Sequence, residues 1–405
     1  MVEMHYKKVT AYIVFALAAL ALLAFGVAGV GRGANPHFDD VRYFYAAAQT
    51  MLNGQSPYTF EAFKLTADAV GVGNGIGVYP YPPHSLLPSV PLTWFPVEVA
   101  RWLWTIANLC VLGVVALLMG RWYAERTSAA PSESDRLASS AWIPAIVVGN
   151  PFAAHLVWTG QTGLFVLGCL LLVWHGLSQG RPLLAGIFLG LASIKPQLSI
   201  LVILWIAFTG HYRVLLVACL TALAMLLLPL AEVGPRVIAE WWQSALAYQG
   251  GMSVSLPYNA NLRSLLMGFG LSFASRFGWV LPMLAVVYVA ALAYRHRLQP
   301  LDRGDVLAAL LTASLLLVFG RDYDIAVLAP LVPALWWHCR GDAHAKWIGL
   351  TILALMFVPQ RLVSQWGVPM LQYWRIALLG VLLTWLTAAM WRRAPHPSTA
   401  QPLPQ

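Results

Sequence analysis

Long uncharged apolar runs alternate with short polar segments along nearly the whole chain. The first, Val9 to Gly31, follows Lys7-Lys8 and stops at Arg32. It is too long for the core of a cleaved signal peptide and long enough to cross a bilayer. Further runs lie near 99–120, 138–157, 161–178, 183–194, 197–209, 213–230, 276–294, 304–320, 325–340, 345–359 and 371–390. The stretch 183–209 is one apolar run interrupted by Lys195-Pro196. Read as two short helices broken there, it brings the expected count to about twelve transmembrane helices with both termini inside. Most Lys and Arg of the tight loops, Arg126, Arg181, Arg213, Arg295 and Arg340 among them, then fall on the cytoplasmic side, as basic residues do in membrane proteins. Read as one helix, the run would flip every later loop and place Arg295, Arg297, Arg392 and Arg393 outside.

This pattern predicts an all-α, polytopic integral membrane protein with a single transmembrane domain over 1–393. Two long outer segments are expected at 32–98 and 231–275, and the Pro-rich 394–405 reads as a disordered cytoplasmic tail. Composition agrees: 59% of the 405 residues are hydrophobic and 10% charged, where a soluble domain carries about 25% charged residues. The net charge of +9 points to anionic lipid headgroups and not to nucleic acid, because the mean hydropathy is +0.68. The four cysteines sit in or beside apolar runs without zinc-ligand spacing, and the ten histidines form no H-E-x-x-H. No metal and no cofactor is expected, and the lack of a G-x-x-x-x-G-K-[ST] argues against an ATP-driven pump.

Candidate chemistry gathers in the first outer segment. After Asp39-Asp40, the residues Val41, Phe44, Tyr45, Ala48 and Leu52 recur at helical spacing, until Asn53-Gly54 and Pro57-Tyr58 stop the pattern. A short amphipathic helix at the membrane surface fits. The two aspartates read either as a helix cap or as a functional carboxylate. In Val78-Tyr79-Pro80-Tyr81-Pro82-Pro83-His84 the prolines hold a stiff, extended backbone. It is either a rigid lead into the next helix or an aromatic wall for a sugar or lipid chain. Lys195 ends a short helix near membrane depth, where ionisable groups are costly and point to function; snorkelling to headgroups is the alternative. Arg321-Asp322-Tyr323-Asp324 reads as a solvated salt-bridge cluster or as a phosphate and sugar site.

Together these motifs resemble glycosyltransferase family 87, whose members include polyprenol-phosphate-mannose-dependent α-1,2-mannosyltransferases. The resemblance is carried by Asp40-x-x-x-x-Tyr45-Ala46-Ala47, Leu52-x-Gly54-x-x-Pro57-Tyr58 and Tyr79-x-Tyr81-Pro82-Pro83. Gly160-Gln161 and Ala185-Gly186 through Lys195-Pro196-Gln197 continue it, so that it covers about 9–215; beyond, it rests on Asn259-x-Asn261-Leu262-Arg263 and the helix layout. It implies a GT-C-like membrane enzyme of the cytoplasmic membrane whose active site faces outward. The implied partners are a polyprenyl-phosphate sugar donor, a lipid or glycan acceptor and membrane lipids. The family's catalytic aspartate falls on Asp40, with Asp39 one residue away. Lys195, Arg321 and Arg263 become candidates for the donor phosphate. Tyr45, Tyr79, Tyr81, His84, Gln161, Gln197, Asn259, Asn261, Asp322 and Asp324 become candidates for the substrates. The competing expectations are a transporter or flippase of lipid-linked sugars, and a family member that binds glycolipid without catalysis.

Overall fold

The computed structural model describes residues 2–31, 40–72, 79–127, 131–251, 259–271, 278–340, 342–358 and 360–392. Among them the chain is all-helical, with one isolated antiparallel bridge between Asn259 and Arg321. The α-helices of seven residues or more are α1 (Val2–Leu22), α2 (Asp40–Leu52), α3 (Phe60–Ala69), α4 (Val97–Thr127), α5 (Pro151–Thr159), α6 (Gly163–Ser178), α7 (Pro182–Ala192) and α8 (Pro196–Phe208). They continue as α9 (Tyr212–Val233), α10 (Arg236–Gly251), α11 (Leu262–Gly268), α12 (Val280–Leu298), α13 (Arg303–Ala313), α14 (Leu331–His338), α15 (Ala343–Phe357) and α16 (Trp374–Arg392). Each apolar run read from the sequence is helical over most of its length. Among the described residues four helices, at Lys8–Val30, Val97–Thr127, Tyr212–Val233 and Met370–Arg392, are long and apolar enough to cross a membrane; the pair Glu133–Val148 and Pro151–Thr159, bent by 52°, makes a fifth if it is counted as one span.

The breaks have local causes. Proline stands at the start of α5, α7 and α8, where its missing N–H costs nothing and its φ suits a helix. Asn150 Oδ1 caps α5 by accepting from the Phe152 N–H at 3.0 Å. Gly160 closes α5 with φ +73°, a left-handed conformation that suits glycine.

Close-packed glycines fix the direction of α7 and α8. A Cβ on Gly176 would lie 2.8 Å from the Ala185 nitrogen, so α6 and α7 form an antiparallel hairpin. A Cβ on Gly186 would lie 2.8 Å from the Val214 carbonyl, and one on Gly190 2.8 Å from that of Ala218. Successive turns of α7 therefore meet successive turns of α9 in the same direction, and the two helices are parallel. Between them α8 must run back, so the chain reverses at Ser193-Ile194-Lys195.

Polar contacts collect at two opposite ends. At one end Lys8 meets Glu133 at 3.3 Å, Arg126 meets Asp305 at 2.9 Å and Arg340 meets Asp135 at 2.6 Å. At the other, Arg101 donates to the Val30 carbonyl at 3.1 Å, and Gln161, Lys195 and Arg375 meet Asp40, Asp324 and Asp322. A second, smaller apolar core of Phe44, Tyr58, Phe63, Tyr79 and Leu86 packs the first loop segment onto Val233 and Val237 at this second end.

The glycine argument yields a test. Gly186→Ala should lower stability, because overpacking costs about 1–3 kcal/mol against a helix-propensity gain of about 1 kcal/mol. Gly380→Ala, with open space around the new methyl, should be neutral or stabilising. Thermal unfolding midpoints in detergent read both, and a raised midpoint for Gly186→Ala would contradict the parallel packing of α7 on α9.

Candidate functional site

Four segments meet at the second end: the first turn of α2, the aromatic segment 79–94, the turn 160–163 and the reversal at 193–197. The loop 319–324 closes over them.

Asp40 opens α2, where the positive end of the helix dipole favours a carboxylate. Its Oδ2 accepts from Gln161 Nε2 at 2.7 Å, and Gln161 Oε1 accepts from the Tyr81 hydroxyl at 3.3 Å. Gln161 reaches this place because Gly160 lets the turn lie against Val41 and Trp104, and the Trp104 indole donates to the Gly160 carbonyl at 2.7 Å. The Tyr81 ring packs 5.5 Å from Tyr79 and 5.4 Å from Phe44. The Tyr79 hydroxyl meets Ser85 Oγ at 2.9 Å, and burial pushes that phenol well above its ordinary pKa. Three residues beyond Tyr81, His84 Nε2 meets Ser193 Oγ at 3.0 Å and ties the aromatic segment to the reversal. Burial holds this imidazole below its ordinary pKa, so it is neutral at neutral pH.

At the reversal Lys195 Nζ donates to Asp324 Oδ1 at 2.5 Å, with both side chains fully buried at 1% and 0% exposure. The ammonium also lies 5.3 Å from the Tyr323 ring centroid. Asp324 Oδ2 accepts from the Arg321 N–H at 3.1 Å, and a Cβ on Gly163 would sit 3.6 Å from Asp324 Oδ1. The pair thus abuts the turn that carries Gln161. Asp322 meets Arg375 at 3.3 Å; burial raises its pKa, with the guanidinium working against that. Arg375 is itself buried and donates to the Met356 and Val358 carbonyls and to Gln360 Oε1.

The structure sorts the residues chosen from the sequence. Asp40, Gln161, Tyr81, Tyr79, His84, Lys195, Asp324 and Arg321 form one connected region, with Asp322 on its border. Asn259 pairs with Arg321 through the backbone bridge, and its buried Oδ1 has no hydrogen-bond partner. The Gln197 carbonyl accepts from Ser314 Oγ. Two further candidates have structural duties. Tyr45 donates to the Phe95 carbonyl at 3.0 Å, and Asn261 caps α11 by accepting from the Ser264 N–H at 2.9 Å. Arg263, one turn into α11, has a buried Nε without a hydrogen bond. Asp39 lies outside the described residues. The ammonium that the sequence reading gives to a donor phosphate is turned onto Asp324. Arg375, Ser193 and His155, whose ring stands 5.6 Å from Tyr323, were not chosen. Arg375 carried the same signal as Lys195, a cation within an apolar run.

The model of glycosyltransferase family 87 matches residues 79–320, more than half of the chain. The chain belongs to this family. It is therefore a membrane glycosyltransferase, acting on a sugar donor and an acceptor. No curated protein matches it. The family match starts at Tyr79 and runs well beyond 215, where the resemblance in the sequence motifs weakens. It takes in the aromatic segment, the Gln161 turn and the Lys195 reversal. Asp40 and the loop 321–324 lie outside it.

The buried ion pair has a measurable signature. Lys195→Met or Asp324→Leu alone leaves a buried charge uncompensated and should cost about 3–5 kcal/mol. The double variant should recover most of that loss. A chemical-denaturation double-mutant cycle measures the coupling, and additive single losses would contradict a structural pair.

Proposed function

We propose that this protein transfers a hexose, with mannose the first candidate, from a polyprenyl-phosphate donor to a lipid or glycan acceptor on the outer face of the cytoplasmic membrane. The observation that carries this reading is the Asp40 carboxylate, held at a helix start by the Gln161 amide beside the aromatic segment of the family match. A transferase of this kind needs a base for the acceptor hydroxyl, cationic partners for a departing phosphate and a surface for the sugar. Asp40 takes the hydroxyl proton, the oxygen attacks the anomeric carbon, and the bond from that carbon to the phosphate oxygen breaks. The anomeric centre inverts, and polyprenyl phosphate leaves as the anion. Arg321 and Arg263 are assigned to the phosphate, because charge-assisted bonds to phosphate are strong. Lys195, whose charge is met by Asp324, is assigned to positioning the loop that carries Arg321. Tyr81 supplies aromatic surface for the sugar, with Tyr79 buried behind it and Gln197, Asn259 and Asp322 at its margin.

The same reading gives a GT-C-like arrangement of about twelve crossings, with the Asp40 end outside. It is supported by the reversal at Lys195 and by the alternation of successive helix ends between the two polar poles. Labelling of Asp68→Cys in intact cells by an impermeant reagent is expected, and labelling only from the cytoplasmic side would contradict it.

The activity is tested by incubating the purified chain in lipid vesicles with radiolabelled polyprenyl-phosphate sugars and membrane lipid acceptors. Transfer from polyprenyl-phosphate mannose is expected. Asp40→Asn should lower turnover about 10²-fold or more while donor binding survives. Donor movement across the vesicle without transfer from any donor would instead identify a flippase of lipid-linked sugars.

A further inference from the structure

At the end opposite Asp40, five segments enclose a small cleft with a cavity of about 30 Å³. Its walls are the buried indoles of Trp174 and Trp205 with Leu301, and its polar groups are His211, His296, Arg303 and Thr209, whose hydroxyl donates to the Trp205 carbonyl at 2.8 Å. No carboxylate lines it. The two acidic neighbours of Arg303 in the chain are engaged elsewhere. Asp302 Oδ2 accepts from Arg126 Nε at 2.9 Å, and Asp305 meets Arg126 and His338, each at 2.9 Å. Among the described residues no carboxylate pairs with Arg303, whose side chain reaches the exposed mouth of the cleft.

The donors are held in place. The Trp174 indole donates to the Arg303 carbonyl at 2.7 Å and fixes the start of α13. His296 Nδ1 accepts from the Leu301 N–H at 3.0 Å, which puts the ring proton on Nε2 and makes that atom a donor. Trp205 packs edge-on against the same ring at 5.2 Å. Burial first, and the charge of Arg303 second, hold His211 and His296 below their ordinary pKa. At neutral pH they are neutral donors beside one fixed cation. A cation with two imidazoles and no counter-charge is half of an electrostatic pair. Arg297, which donates to the Phe208 carbonyl at 2.6 Å, adds positive charge to the same end.

We propose that this cleft is an anion site that seats a phosphate group, with Arg303 as its charged ligand and His211 and His296 as hydrogen-bond donors. The cavity has room for about one water-sized oxygen. It takes an oxygen of the phosphate and leaves the remainder at the mouth, as a lipid headgroup or a soluble phosphate would sit. Neither the site nor its test depends on sugar transfer at the Asp40 end.

Thermal unfolding of the purified full chain in a neutral detergent tests the site, since a ligand that binds only the folded state raises the midpoint. The chain is titrated in separate arms with short-chain phosphatidic acid, with phosphatidylcholine of the same chain length, and with inorganic phosphate. A saturable rise with phosphatidic acid beyond that with phosphatidylcholine, or with inorganic phosphate, is expected. A response to phosphatidic acid alone identifies a headgroup as the source; a response to inorganic phosphate identifies a soluble one. Arg303→Gln and His296→Gln should each move the half-saturating concentration at least tenfold upward, while Arg121→Gln, an exposed arginine paired with Glu125, should leave it unchanged. The proposal is overturned if neither phosphate source shifts the midpoint, or if Arg303→Gln responds as the unmodified chain does.

Discussion

Two opposite charges without access to water set the most stringent constraint on this fold. Lys195 and Asp324 lie 129 residues apart, on segments that touch only if the long apolar run breaks and turns back. Desolvating either ion costs several kcal/mol that only a close, well-oriented partner offsets. The reversal between α7 and α8 and the loop 319–324 must therefore dock together or not at all. Their contact in turn fixes what surrounds it. The Arg321 backbone is held by the second oxygen of Asp324, the α6 start packs at Gly163, and Ser193, two residues before Lys195, anchors His84.

From that anchor the site assembles by short steps. His84 places the aromatic segment, Tyr81 reaches the amide of Gln161, and Gln161 reaches Asp40. Gly160 makes the last step possible, since a side chain there would collide with Val41 on α2. The Asp40 carboxylate, the base of the proposed reaction, is thereby oriented by an amide that is itself oriented from the far side, a chain of hydrogen bonds in which each member limits the freedom of the next. The opposite end is organised differently, around Arg126 and its carboxylates, with a separate cationic cleft beside it.

Much of this was legible in the sequence because it is local. Proline and lysine inside an apolar run announce the break at 195–196. Helical spacing after Asp40 announces α2. What was not legible is pairing across distance. Nothing near Lys195 in the sequence names Asp324 as its partner, so from the sequence its charge points to a ligand. Arg375 was overlooked although it obeys the rule that singled out Lys195, because its partners, Asp322 and two carbonyls near the end of α15, come from segments that only folding brings together. Tyr45 and Asn261 show the reverse case. Both belong to motifs of the family resemblance, yet one tethers α2 to the Phe95 carbonyl and the other caps α11. The Asn261 cap could have been read from an asparagine standing just before Leu262 and the apolar residues that follow.

The most direct test of this account is hydrogen exchange by mass spectrometry on the Lys195→Met variant beside the unmodified chain. If the buried pair organises the Asp40 end, amides in 79–94, 160–166 and 319–328 should lose protection while those of 120–127, at the opposite end of α4, keep theirs. Unchanged exchange in all three segments, or an equal loss throughout the chain, would contradict it.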